Sequence, residues 1–92
     1  MQIDPAVFPL ENGWLKPGDR LFSPQRRYQA RIRVDGSLTT GTSTGSIHRL
    51  GAHVQQAPAC NGWTYWHYED PKRNLAPIDM LRRRYREEMG LN

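Results

Sequence analysis

The residues best suited to chemistry in this sequence are a serine, an asparagine and a tryptophan in the segment GSIHRLGAHVQQAPACNGWTYWHYE, residues 45–69. Ser46 stands at the N-cap of a predicted helix, whose free amides and positive dipole end attract phosphate. Asn61 carries an amide that can pair with an adenine edge. Trp63 can stack on an unpaired base, which is worth about 1–3 kcal/mol. Together the three residue types suit recognition of a nucleic acid.

Each of these residues also has a purely structural explanation. Ser46 caps a helix in many proteins that bind nothing there. Asn61 precedes Gly62, a pair that often forms a turn. A chain of 92 residues has a small core, so its three tryptophans cannot all lie on the surface. We expect Trp66 in the core, whereas for Trp63 stacking and core packing remain open.

Arginine dominates the basic residues, since eleven of the thirteen are Arg and the net charge is +4. Three of them, Arg27, Arg31 and Arg33, fall on the outer face of one predicted strand. They could follow a phosphate backbone, or they could be solvated charges that prevent edge-to-edge pairing.

A second group of arginines lies in the last predicted helix, where Asp79 can pair with Arg83 and Glu88 with Arg84. Pairing would leave Arg82 and Arg86 as the least neutralised cations. A run of charge on a helix is more often a solvated face than a binding surface.

No catalytic or metal site is predicted. The chain lacks a Gly-rich nucleotide loop, and Asp70-Pro71 is followed by Lys72-Arg73 rather than by the Pro and aromatic residue of amino-methyltransferase motifs. The spacings of the candidate ligands match no common zinc pattern; they are His48, His53, Cys60 and His67. We therefore expect no metal and no cofactor in this chain.

The location follows from two further features. The single cysteine excludes an internal disulfide, and no apolar run approaches the ~20 residues of a membrane helix. We expect a cytoplasmic protein with no membrane partner.

The elements that would position these residues make an α+β fold with a small antiparallel sheet. Arg20–Ser23 is a strand candidate, and the alternation of Tyr28, Ala30, Ile32 and Val34 around Asp35-Gly36 predicts a β-hairpin at about 27–42. The remaining elements are a helix at about 46–56, in which Gly51 suits close packing, an aromatic strand at about 63–68 and a C-terminal helix at about 77–89. Residues 1–13 are predicted to be an arm or linker, and 14–90 a single domain.

The segment 45–69 closely resembles the C-terminal domain of the CcrM-type, cell-cycle-regulated adenine DNA methyltransferases, a branch of the wider RAMA domain family. The similarity extends over roughly residues 8–90 through LKPGDRLF, the spacing of Ala30 to Leu38 and PIDMLRRRYREEM. The motif GSIH…CNGWxxW is long and specific.

The resemblance implies that the parent enzyme transfers a methyl group from S-adenosylmethionine to adenine N6 at GANTC sites, acting with DNA replication and the nucleoid. It implies that this domain binds DNA, double-stranded or locally strand-separated, and ties Ser46, Asn61 and Trp63 to that binding. His48 and Arg49, beside Ser46, are further candidates, together with Arg31 and Arg33. The catalytic domain is not among these 92 residues, so we expect no activity from this chain alone.

Two alternatives stay open. The domain could form a homodimer through its aromatic strand and the apolar arm residues Val7, Phe8 and Leu10. It could also be a stand-alone binder of single-stranded nucleic acid, because stacking tryptophans suit that function as well.

Overall fold

The computed structural model describes residues 15–90, with the side chains of Glu88 and Met89 excepted. The predicted arm at 1–13 lies outside these residues. The strands are β1 (Arg20–Phe22), β2 (Gln29–Ile32), β3 (Leu38–Thr39), β4 (Thr44–Gly45), β5 (His67–Glu69) and β6 (Leu75–Pro77). The helices are α1 (Ile47–Gln55), α2 (Gly62–Tyr65) and α3 (Asp79–Met89).

The strands form one antiparallel sheet in the order β4-β3-β2-β1-β5-β6, which confirms the predicted α+β class. The predicted hairpin is β2 and β3. Asp35 closes its turn, because its Oδ1 accepts hydrogen bonds from the amide and the hydroxyl of Ser37 at 2.9 and 2.6 Å. These bonds lower the pKa of the Asp35 carboxyl, since they stabilise its charged form.

One face of the sheet is buried and the other faces solvent. Ala30 and Ile32 point into the core, whereas Gln29 and Arg31 are exposed, as the period-two pattern predicts. Val34, expected on the buried side, is 82% exposed because β2 ends before it and the chain turns.

The helices cover the buried face of the sheet. In α1, Ile47 and Leu50 are buried and confirm the predicted helical stripe. Gly51 allows close packing, as predicted, because a Cβ there would lie 2.6 Å from the Cys60 sulfur. Helix α3 begins after the buried Ile78 and ends at Gly90, whose φ of 69° suits glycine.

The aromatic strand predicted at 63–68 is wrong over its first half. Residues 62–65 form the short helix α2, and the strand begins only at His67, which pairs with Phe22 of β1. Helical geometry places Trp63 and Trp66 three residues apart on one side, so both enter the core, at 4% and 0% exposure. A strand would have placed them on opposite sides of the sheet.

Candidate nucleic-acid interface

The first turns of α1 and α2 meet at one place on the surface. Gly62, which begins α2, packs so closely on Ile47, which begins α1, that a Cβ would lie 2.5 Å from the Ile47 carbonyl carbon. The Gly62 amide donates a hydrogen bond to Nδ1 of His48 at 2.9 Å. This contact brings together four exposed side chains, which we name the helix corner: Ser46, His48, Arg49 and Asn61.

Ser46 is the N-cap of α1, as predicted. Its Oγ accepts a hydrogen bond from the Arg49 amide at 3.1 Å, and its carbonyl accepts the first helical bond from Leu50. The amides of Ile47 and His48 have no carbonyl partner within the helix, because they lie in its first turn, and their N–H bonds point out of its end. The first turn holds no acidic residue. This end of α1 therefore presents N–H donors and positive potential with no carboxylate in its own first turn.

Asn61 is the N-cap of α2 rather than part of a turn. Its Oδ1 accepts a hydrogen bond from the Trp63 amide at 3.1 Å, which fixes the side chain while leaving it exposed. A carbonyl oxygen has two lone pairs and the Nδ2 group two hydrogens. Asn61 can thus hold its cap and still pair with a base edge or donate to a phosphate.

His48 links the two helices through its ring. Because Nδ1 accepts the Gly62 hydrogen bond, the neutral ring carries its proton on Nε2. Nε2 is then a donor on an exposed side chain, so His48 adds a third kind of donor to the helix corner.

Trp63 lies beneath the helix corner, in the core. Its ring is 4% exposed, and the Arg82 guanidinium covers it with the Cζ atom 4.8 Å from the ring centroid. In this arrangement no ring face is open to a base. Trp63 thus supports the corner from below: its amide donates to the Asn61 side chain, and its ring packs against the Arg82 guanidinium.

Arg82 is not among the least neutralised cations, contrary to expectation. It forms an ion pair with the buried Asp79, which also pairs with Arg83 at 3.1 Å. Asp79 lies in the first turn of α3, where a carboxylate also interacts favourably with the helix dipole. One buried carboxylate thus positions the guanidinium that lies over Trp63.

Arg31 and Arg33 are not among the residues that the contact between α1 and α2 brings together. Arg31 is on the solvent face of β2, and Arg33 follows that strand in the turn, with its amide bonded to the Ser37 carbonyl. Both are exposed. The candidate residues therefore fall into two groups, the helix corner and the pair Arg31 and Arg33.

Two contacts that hold the corner together go beyond what the sequence predicted. The sequence predicts Gly62 only as the partner of Asn61 in a turn, whereas its contact with Ile47 leaves no room for a Cβ and therefore requires glycine. Trp66 was expected in the core, but its Nε1 also donates to the Ile47 carbonyl at 2.9 Å. An Asn followed by Gly and by two Trp residues three positions apart is the pattern of a short capped helix with two buried rings.

Two titratable groups near the corner, Cys60 and Tyr65, have raised pKa values. Burial raises the pKa of the Cys60 thiol, which favours the neutral and unreactive form. Burial likewise raises the pKa of Tyr65. Among residues 15–90, no three His, Cys, Asp or Glu side chains come together as a metal site would require. No helix in that part of the chain could cross a membrane.

The chain belongs to the RAMA family, described as Restriction Enzyme Adenine Methylase Associated, because the family model matches residues 10–91. That range includes the sheet, the three helices and every residue of the helix corner. A RAMA domain is thus an accessory domain associated with adenine methylases. The structure shows how such a domain, with Ser46 and Asn61 as caps, presents polar groups at one surface.

Proposed function

We propose that this chain is the DNA-binding accessory domain of a bacterial adenine-N6 DNA methyltransferase that acts at GANTC-type sites. The helix corner supports the proposal most directly. Exposed N–H, amide, imidazole and guanidinium donors of Ser46, His48, Arg49 and Asn61 surround the positive end of α1, and neither α1 nor α2 carries an acidic residue in its first turn. Such a surface suits phosphate together with base edges.

In this proposal S-adenosylmethionine binds to the parent enzyme outside this chain. Cofactors with a ribose are usually held by a Gly-rich turn and by an acidic residue on the ribose hydroxyls. The first turns of α1 and α2 offer neither. The role of the 92 residues is then to hold the DNA while another domain performs methyl transfer.

A homodimer through the aromatic segment has less support. The rings of Trp63 and Trp66 are in the core and cannot meet a second subunit in this conformation. The apolar arm residues that completed that hypothesis lie outside the described residues.

A pair of variants at Ser46 that match in size and differ in charge tests the proposal. Asp, Asn and Ser are about equally good N-caps, so Ser46→Asp and Ser46→Asn should both keep α1 stable. The Asp variant places a negative charge where a phosphate would bind. At about 5 Å, with an effective dielectric between that of a protein surface and water, repulsion amounts to about 1–3 kcal/mol. We expect Ser46→Asp to weaken DNA binding about tenfold or more, and Ser46→Asn to bind within about threefold of the unaltered chain.

The measurement is fluorescence anisotropy with a labelled GANTC duplex, a duplex with the site permuted, and a single strand, each at two salt concentrations. Circular dichroism checks that both variants are folded. Equal affinities of the Asp and Asn variants would contradict the proposal for Ser46. Absence of any binding at low salt would refute DNA binding by this domain. A strong preference for the single strand would favour the alternative of a single-strand binder.

A further inference from the structure

Two arginines lie opposite each other on the solvent face of the sheet. Arg20 of β1 is the cross-strand partner of Arg31 of β2, and both are exposed. Like charges at opposed positions destabilise a sheet. Neither guanidinium forms an ion pair with a carboxylate among the described residues. Glu69, which lines the same depression as Arg20, is bound instead by Arg26 at 2.8 Å.

The same register continues this pair into a row across four strands. Arg31 is opposite Thr39 of β3, and Thr39 is opposite Thr44 of β4. The Thr44 hydroxyl donates to the Thr39 hydroxyl at 3.2 Å. With strands about 4.8 Å apart, the row spans about 14 Å from β1 to β4. We name it the sheet row: Arg20, Arg31, Thr39 and Thr44.

A groove of about 380 Å³ lies at the β4 end of the sheet row. Ser43, Thr44, Arg49 and His53 supply its polar lining, and the Ser43 hydroxyl is hydrogen-bonded to Nε2 of His53 at 3.1 Å. Arg49 also belongs to the helix corner. Thr44 and Arg49 therefore make the sheet row continuous with the helix corner.

We infer that the sheet row and this groove bind the sugar-phosphate backbone of the nucleic acid that the helix corner engages. The inference rests on the proposed function and adds a second contact to it. One nucleic-acid strand carries a phosphate about every 3.4 Å of axis, so a row of about 14 Å spans several phosphates. The two guanidiniums supply the charge and the donors, because the Thr39 and Thr44 hydroxyls donate within the sheet. An anion would relieve the repulsion between Arg20 and Arg31.

The decisive variant is Arg20→Gln, with Lys72→Gln as its matched control. Each removes one positive charge from an exposed side chain, and Lys72 lies in the turn between β5 and β6, at the opposite edge of the sheet. Affinity of the full 92-residue chain for duplex DNA is measured between 50 and 200 mM salt. Loss of one phosphate contact lowers the slope of log affinity against log salt by about 0.9. Arg20→Gln should then lose about threefold less affinity over this range, whereas Lys72→Gln should keep the original slope.

A thermal melt separates binding from folding. Because Arg20→Gln removes a like-charge contact, its melting temperature should equal or exceed that of the unaltered chain. A lower melting temperature with an unchanged salt slope would mean that Arg20 serves the fold, and would overturn the inference. NMR titration of the labelled chain should shift the amides of Arg20, Arg31, Thr39 and Thr44 together with those of the helix corner, and leave the turn at 70–73 unshifted.

Failure of the inference is distinguishable from failure of the proposed function. If Ser46→Asp weakens binding while Arg20→Gln behaves as Lys72→Gln does, the helix corner stands and the sheet row is refuted. If the unaltered chain binds no DNA at any salt concentration, both are refuted.

Discussion

The role of Trp63 can be decided by truncation, since the structure places its ring in the core beneath the helix corner. The ring is 4% exposed and carries the Arg82 guanidinium at 4.8 Å from its centroid. Removing a buried tryptophan costs about 3–5 kcal/mol. Loss of the cation–π contact, in which the Arg82 side chain is 30% exposed, adds about 0.5–1 kcal/mol. We therefore expect Trp63→Ala to destabilise the fold by about 4–6 kcal/mol.

That loss is large for this chain. Native domains gain about 0.05–0.15 kcal/mol per residue, which is about 5–14 kcal/mol for 92 residues. In a domain of this size each kcal/mol lowers the melting temperature by about 4–8 °C. Trp63→Ala should therefore melt at least about 15 °C lower, or be unfolded at 25 °C, as followed by circular dichroism and urea denaturation. Val34→Ala, at a site 82% exposed, is the control and should change stability by less than about 0.5 kcal/mol.

Trp63→Phe extends the test to binding, because it keeps an aromatic ring in the core. Among folded molecules it should bind DNA within about threefold of the unaltered chain if Trp63 only supports the helix corner. A Trp63→Ala protein that melts within about 3 °C of the unaltered chain and yet loses DNA affinity would refute the reasoning. That result would show that the ring leaves the core to stack on a base.

Two further predictions concern the packing around the corner. Gly62→Ala should cost about 1–3 kcal/mol in urea denaturation, because its Cβ would lie 2.5 Å from the backbone of Ile47. Gly45→Ala is the control and should cost less, because its nearest contact would be the Arg49 Cβ at 3.3 Å. Equal costs would contradict the close contact at Gly62. Cys60 should react with iodoacetamide more slowly at pH 8 than a free cysteine does, because burial raises its thiol pKa and leaves less thiolate. Because the pKa is raised in the native state, the free energy of unfolding is highest while the thiol is protonated and falls as pH rises past the ordinary thiol pKa. Labelling of the native chain as fast as that of the urea-unfolded chain would refute the slower reaction expected for Cys60.

Local patterns of the sequence were sufficient for β2 and α1. The alternation of Ala30 and Ile32 with charged residues determined which face of β2 is buried, because strand side chains alternate strictly. The spacing of Ile47 and Leu50 after Ser46 predicted the start and buried face of α1, since capping and helical periodicity act within a few residues. These patterns depend on interactions between residues close in sequence, so they can be interpreted without the rest of the chain.

Contacts between distant segments decided what the surface presents. The sequence around Trp63 fits either a strand or a short capped helix. The helix forms because Gly62 packs on Ile47 and both tryptophans reach the core. The pairing of Arg20 with Arg31 depends on strand register, which no local pattern contains. The sequence by itself thus indicated a serine and an asparagine with polar side chains suited to binding. Only the tertiary structure brought them together at one corner and placed the Trp63 ring in the core beneath it.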